Sequence, residues 1–241
     1  MTTPHGVELS SFPLGGNALV FGASGGIGHA LVDQLRRSAA FVQVVTFSRN
    51  SEPAVDLQDE ASLARAAKHA SDVGDIRLVI DATGFLHDAI QQPEKTWREI
   101  EPIKLARAFA LNSVGPALIM KHVLPRLPRR GKSVFATLSA RVGSIGDNQI
   151  GGWYSYRASK AALNQFVRTA AIELRRQSSD SICVALHPGT VDTPLSAPFR
   201  KHGLDIQSPS TAAERLLKVI NQLRPDDSGG FLDYKGETVL W

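Results

Sequence analysis

The stretch NALVFGASGGIGHALVDQL, residues 17–35, decides how this chain folds. It opens on a short apolar run, Asn17 to Phe21, the pattern of a strand buried on both faces. Gly22-Ala-Ser-Gly-Gly-Ile-Gly28 follows at once, and from Ile27 the apolar residues Ile27, Leu31 and Leu35 recur every four residues, as on one face of a helix. A strand, a glycine turn and a helix in that order form a cradle for an anion. Amides at a helix N-terminus point at the ligand, and the helix dipole favours negative charge. Gly22, Gly25, Gly26 and Gly28 remove the Cβ atoms that would block a dinucleotide pyrophosphate; Ser24 offers a hydroxyl, and Ile27 begins the helix. The same residues also read as G-x-S-x-G around Ser24, a serine-hydrolase elbow that would need His187 or His202; such an elbow normally follows several strands rather than the first.

Outward from this unit, strand-like and helix-like segments alternate. Strands are expected at 42–47, 77–82, 133–138, 182–186 and 230–234, and helices at 57–70, 105–124, 156–176 and 212–223, with a kink at Gly115-Pro116. Alternation of this kind implies right-handed crossovers and a parallel sheet covered on both faces. The expected architecture is α/β: a single doubly wound Rossmann domain over residues 1–241, with about seven parallel strands and an N-terminal extension at 1–15. The second strand ends Thr46-Phe-Ser-Arg-Asn50 with no carboxylate, so Ser48 and Arg49 suit the 2′-phosphate of NADP(H) rather than the ribose of NAD. Asp56 and Leu57 are candidates for the adenine, and Asp56 equally for a helix cap.

Of 241 residues, 43% are hydrophobic and 21% charged, enough to bury a sizeable core. No uninterrupted apolar run suggests a membrane span, and the first twelve residues lack the pattern of a secretory signal. One cysteine, Cys183, excludes an intrachain disulfide; a cytoplasmic setting is expected. The net charge is +4, with Arg126, Arg129, Arg130 and Lys132 forming the densest cluster, which reads as a solvated loop; neither nucleic acid nor membrane is an expected partner. The seven histidines show no metal-ligand spacing, and no metal is expected.

Tyr156-Arg-Ala-Ser-Lys160 puts a phenol and an amine one helical turn apart. A lysine cation there favours the phenolate, which would lower the tyrosine pKa from about 10 and make Tyr156 a usable acid or base. Tyr154 lies on a different face from Lys160.

Taken together, the chain resembles the short-chain dehydrogenase/reductase family from about residue 17 to residue 241. Gly22–Gly28, Asp81-Ala-Thr-Gly84, Asn112, Tyr156-x-x-x-Lys160 and Pro188-Gly-Thr-Val-Asp-Thr193 fall in the family's order. Ser139-Ala-Arg-Val-Gly-Ser-Ile145 and Gly151-Gly-Trp-Tyr-Ser-Tyr156 are similar to the C-factor-like and sniffer-like carbonyl reductases. The resemblance implies reduction of a small-molecule carbonyl, or oxidation of an alcohol, with NADP(H). Tyr156 would donate the proton, Lys160 would hold the nicotinamide ribose, and Asn112 would support a water relay. Ala82, Thr83 and Gly84 would line the adenosine side, and Pro188, Gly189, Val191 and Thr193 would cover the nicotinamide. It also implies a homodimer or homotetramer. Three departures stand out. Phe21 replaces a threonine before the glycine turn, and Asp81 to Gly84 replace Asn-Ala-Gly. By spacing, Gly143 takes the place of the catalytic serine, and by the strand end Ala140 takes it; Ser139 is the first candidate for that role and Ser144 the second. His87, Trp153 and Phe199 are candidates for the substrate pocket, with a lid at 195–202. A signalling protein with vestigial chemistry is the alternative function.

Overall fold

The computed structural model describes residues 6–199 and 205–241. Its main sheet has six parallel strands: β1 (Asn17–Phe21), β2 (Val44–Phe47), β3 (Ile76–Asp81), β4 (Ser133–Leu138), β5 (Ser181–His187) and β8 (Phe231–Asp233). They lie in the order β2-β1-β3-β4-β5-β8, and a separate two-stranded sheet joins β6 (Thr190–Val191) to β7 (Ile206–Gln207). Among the described residues the main sheet thus has six strands, where about seven are expected. After β2 the chain turns back on itself, with the Val55 amide donating to the Ser48 carbonyl at 2.9 Å, so this segment adds no strand beyond β2.

The continuous apolar runs are explained by burial on two faces. Ala18 and Val20 of β1 join Ile182, Val184 and Leu186 of β5 in one core cluster; Leu19 and Phe21 join Cys183 and Ala185 in the other. The first cluster is closed by α1 (Gly26–Ser38) and α6 (Pro209–Gln222), through Leu31, Leu35, Leu216 and Ile220. The second is closed by α2 (Glu60–Val73), α4 (Gly115–Val123) and α5 (Tyr154–Gln177), through Leu63, Ile119, Leu163 and Val167. The N-terminal segment is part of the body: Val7, Leu9 and Phe12 belong to the first cluster, and Phe12 meets Phe41 edge-on at 5.3 Å.

α3 (Pro102–Phe109) runs into α4 through a π-helical turn at Ala110–Val114. Pro116 has no N–H to give to the carbonyl four residues back, and the helix widens just before it. The resulting 25-residue helical run, Pro102–Arg126, is long and apolar enough to cross a bilayer by length and composition. Counting only uninterrupted apolar residues overlooked it, because Lys104, Arg107 and Lys121 interrupt the run. Here it is a layer helix, with Ile119, Met120 and Val123 in the second core cluster.

Candidate active site

The glycine turn is built as a cradle. Gly22 has φ +75°, and a Cβ there would meet the Ala82 carbonyl carbon at 2.9 Å; a Cβ on Gly28 would lie 2.1 Å from the Gly22 oxygen. α1 starts at Gly26 with no side-chain cap and no acid in its first turn. The first-turn amides therefore face outward without an intrahelical partner, as an anion requires. Thr193, on the segment after β6, reaches this turn: a Cβ on Gly26 would come within 2.8 Å of its methyl group. Gly189 has φ +78°, and the Pro188 carbonyl accepts from the Gln207 amide. At the end of β2, Arg49 is exposed and makes no ion pair within the described residues, while the Ser48 hydroxyl accepts from the Asn50 amide at 3.2 Å. Asp56 does not cap α2. It accepts from Gln58 N at 2.9 Å, and the cap is Asp59, which accepts from Ala61 N at 3.0 Å. Leu57 lies against α4, 2.8 Å from where a Cβ on Gly115 would sit.

The second half of the site lies where α5 crosses the carboxyl ends of β3 and β4. Lys160 is buried and donates to the Leu138 carbonyl at 2.8 Å. Gly84, just past β3, backs onto it: a Cβ there would be 3.8 Å from Lys160 Nζ and 3.9 Å from Asn112 Oδ1. The π-helical turn aims Asn112 inward. Its amide donates to Phe85 O at 2.8 Å and to the Ser159 hydroxyl at 3.1 Å, and its Oδ1 accepts from Phe85 N at 2.7 Å. Asn112 thus ties the loop after β3 to the turn of α5 that carries Tyr156 and Lys160.

The Tyr156–Lys160 electrostatics differ from the sequence expectation. Lys160 Nζ is 6.0 Å from the Tyr156 ring centroid, and burial pushes the phenol up to about 12 rather than below 10. Burial also pulls Lys160 down to about 8. Of the two serine candidates, Ser139 donates its hydroxyl to Asn164 Oδ1 at 2.6 Å, and the Ser144 hydroxyl accepts from Asp147 N at 3.0 Å; both are buried.

Around Tyr156 the rings gather. Trp153 lies edge-on to Tyr156 at 6.1 Å and to Phe199 at 5.0 Å, and His87 lies edge-on to Phe199 at 5.2 Å. His87 Nε2 also sits 3.1 Å from the Leu195 carbonyl. The remainder of the expected lid, 200–202, falls outside the described residues. His187 is held near 4 by burial, and the Arg141 amide donates to its Nδ1 at 3.3 Å. Among the described residues no histidine is hydrogen-bonded to Ser24, as a hydrolase elbow would need; His202 lies outside them.

Glu94 is a residue the sequence reading missed. No motif marks it, because its partner is 61 positions away. Its buried carboxylate accepts from the Ser155 amide at 3.1 Å and from the Ser155 hydroxyl, and so caps the start of α5. Trp153 precedes the helix in the left-handed region, φ 54°, with no side-chain cap of its own. Glu94→Ala strands a buried N–H and hydroxyl, so thermal unfolding should show a loss of about 1–3 kcal/mol; an unchanged melting temperature would remove the capping role.

Comparison with known proteins agrees with this geometry. The chain matches the short chain dehydrogenase family over residues 16–203. It is 33% identical over 233 residues to 1-hydroxy-2-glutathionyl-2-methyl-3-butene dehydrogenase of Rhodococcus sp. (strain AD45), covering 92% of this chain and 98% of that one. It is 37% identical over 144 residues to C-signal of Myxococcus xanthus, covering 59% of this chain and 82% of that one. The NADPH-bound carbonyl reductase from chicken fatty liver superposes with a TM-score of 0.81 at 25% identity, covering 95% of this chain and 100% of that structure. With its six parallel strands, its glycine cradle and its match over residues 16–203, the chain belongs to the short chain dehydrogenase family.

Proposed function

We propose that this protein is an NADP(H)-dependent oxidoreductase that reduces a small apolar carbonyl compound to its alcohol, or runs the reverse reaction. The observation that carries this reading is the meeting of an uncapped glycine turn with Tyr156 and Lys160 at the carboxyl ends of the strands. Gly22, Ser24, Gly25, Gly26, Ile27 and Gly28 hold the pyrophosphate, and Ser48 with Arg49 binds the 2′-phosphate. Asp56, Leu57, Ala82 and Thr83 border the adenosine, while Pro188, Gly189, Val191 and Thr193 flank the nicotinamide. The bound nicotinamide supplies the hydride.

The proton comes from the chain. With its pKa raised to about 12, Tyr156 keeps its phenolic proton at neutral pH and donates it from Oη to the carbonyl oxygen. Lys160 binds the ribose and places positive charge beside the phenolate that forms. Asn112 supports a water relay to Lys160 from across Gly84. Ser139 orients the carbonyl once its hydroxyl turns from Asn164; Ser144 is the other candidate. Trp153, Phe199 and His87 wall the substrate side with rings, which suits an apolar carbonyl.

Two further points bear on this reading. The Rhodococcus relative, by name a dehydrogenase of a hydroxy compound, keeps alcohol oxidation in view. Assembly into a homodimer or homotetramer belongs to the same reading, as the family resemblance implies. A signalling role is the second reading, favoured by the 37% identity to C-signal.

Titration of the purified protein with NADPH and NADH, followed by intrinsic fluorescence, tests the cofactor half. NADPH binds tighter, and Arg49→Ala weakens NADPH by about 10- to 100-fold while leaving NADH unchanged, because it removes one charge-assisted contact. Equal binding of both nucleotides by the unaltered chain removes the selector role of Ser48 and Arg49. Binding of neither overturns the proposal.

A further inference from the structure

Asp81, the last residue of β3, is fully buried and has no part in the chemistry derived above. Three donors converge on it: Thr83 N at 3.0 Å and the Thr83 hydroxyl at 2.6 Å on Oδ1, and the Thr137 hydroxyl at 2.7 Å on Oδ2. All three groups can donate to a carboxylate, and they oppose the burial that pushes the Asp81 carboxyl above the usual carboxylate range. A buried carboxylate is costly unless a cation lies near.

Strand register puts Asp81 on the sheet face covered by α5, the helix that carries Lys160. Asp81 pairs with Thr137 across β3 and β4, and both continue the alternation of Val79 and Phe135, whose side chains join the core cluster under α5. Lys160 projects from α5 onto the residue after Thr137, donating to Leu138 O. Asn112 from the π-helical turn, Gly84 from the loop and Tyr156 from α5 itself complete the surroundings of the amine, and none of them carries a charge at neutral pH.

We propose that Asp81 is the resident counter-ion of Lys160, a positioning residue that holds the lysine as an ammonium in a dry site before any cofactor arrives. The inference rests on the reading of Lys160 as part of the active site, and extends it to the residue beneath. Burial alone would neutralise the lysine by lowering its pKa, and Asp81 opposes that shift. The role assigns a purpose to the aspartate that opens the Asp81–Gly84 departure from the family pattern. An asparagine would keep the shape and lose the charge.

The experiment is an NMR titration of the protein without cofactor, labelled at lysine Cε, with the Lys160 signal assigned by its loss in Lys160→Met. The unaltered protein should show Lys160 titrating near 8. In Asp81→Asn its pKa should fall by about one unit or more, as removal of a nearby opposite charge requires. An unchanged or higher value in a folded variant overturns the proposal. If Asp81→Asn does not fold, the reciprocal measurement decides: the Asp81 carboxyl carbon should titrate at higher pH in Lys160→Met, and an unchanged value overturns the pairing. The pH profile of kcat adds a functional readout. Rate is lost on the alkaline side as the ammonium deprotonates, so Asp81→Asn should move that limb to lower pH. Because the titration needs neither substrate nor nucleotide, the proposed charge coupling stands or falls apart from the proposed reaction.

Discussion

Tyr156→Phe should lower kcat for carbonyl reduction by about 10²- to 10⁴-fold, the range for loss of a positioned general acid. Affinity for NADPH should stay within about twofold, since the variant removes one hydroxyl and leaves the ring. That ring packs edge-on against Trp153 at 6.1 Å, so the fold and the aromatic wall survive the change. Stopped-flow oxidation of NADPH, with binding measured by fluorescence on the same samples, reads both quantities. A variant retaining most of its activity would remove Tyr156 from the proton path. The same variant separates the two functional readings. If it loses all reductase activity and keeps a biological effect, that effect does not come from the chemistry.

Gly28→Ala should weaken nucleotide binding by about 100-fold or more. The new methyl would lie 2.1 Å from the Gly22 oxygen and 2.9 Å from the Gly22 carbonyl carbon, both backbone atoms that cannot swing aside. Either the first turn of α1 moves away from β1 or the glycine turn opens. Overpacking of this kind costs about 1–3 kcal/mol in stability. The cradle would also lose its geometry, so affinity for NADPH should drop by about 100-fold or more, beyond what lower stability explains. Calorimetric titration alongside thermal unfolding distinguishes the two effects. Unimpaired binding would show that the turn is not where the pyrophosphate sits.

The fold was legible because its signals are local. Asn17 to Gly28 carries strand, turn and helix start in twelve consecutive residues, and Tyr156 and Lys160 are one helical turn apart. What escaped the sequence reading depends on long-range contacts. Glu94 caps a helix 61 positions away, and Ser139 meets Asn164 25 positions on. The Tyr156 pKa was misjudged for the same reason: a neighbouring lysine is visible in the sequence, whereas the desolvation that outweighs it depends on everything packed around the ring. The helix cap moved from Asp56 to Asp59 because either aspartate could begin α2 and only the path of the chain after β2 decides. The main sheet has one strand fewer than the expected seven or so among the described residues, and the residues themselves mark six apolar runs.

That missing strand has a consequence for the life of the chain outside its active site. A sheet that stops at β2 ends in a strand with unpaired amides and carbonyls on its outer side, a template on which another chain could polymerise. Both margins are blunted. β2 has four residues and β8 three, against five to seven for the strands between them. At the β8 margin the chain doubles back, with Val239 N donating to Phe231 O at 2.8 Å and Leu232 bridging Thr238. At the β2 margin the chain folds back just past the strand, with Val55 N donating to Ser48 O at 2.9 Å. Dropping the outer strand thus leaves a sheet guarded at its margins against fibril-like growth, with β1, β3, β4 and β5 in its middle carrying the candidate site.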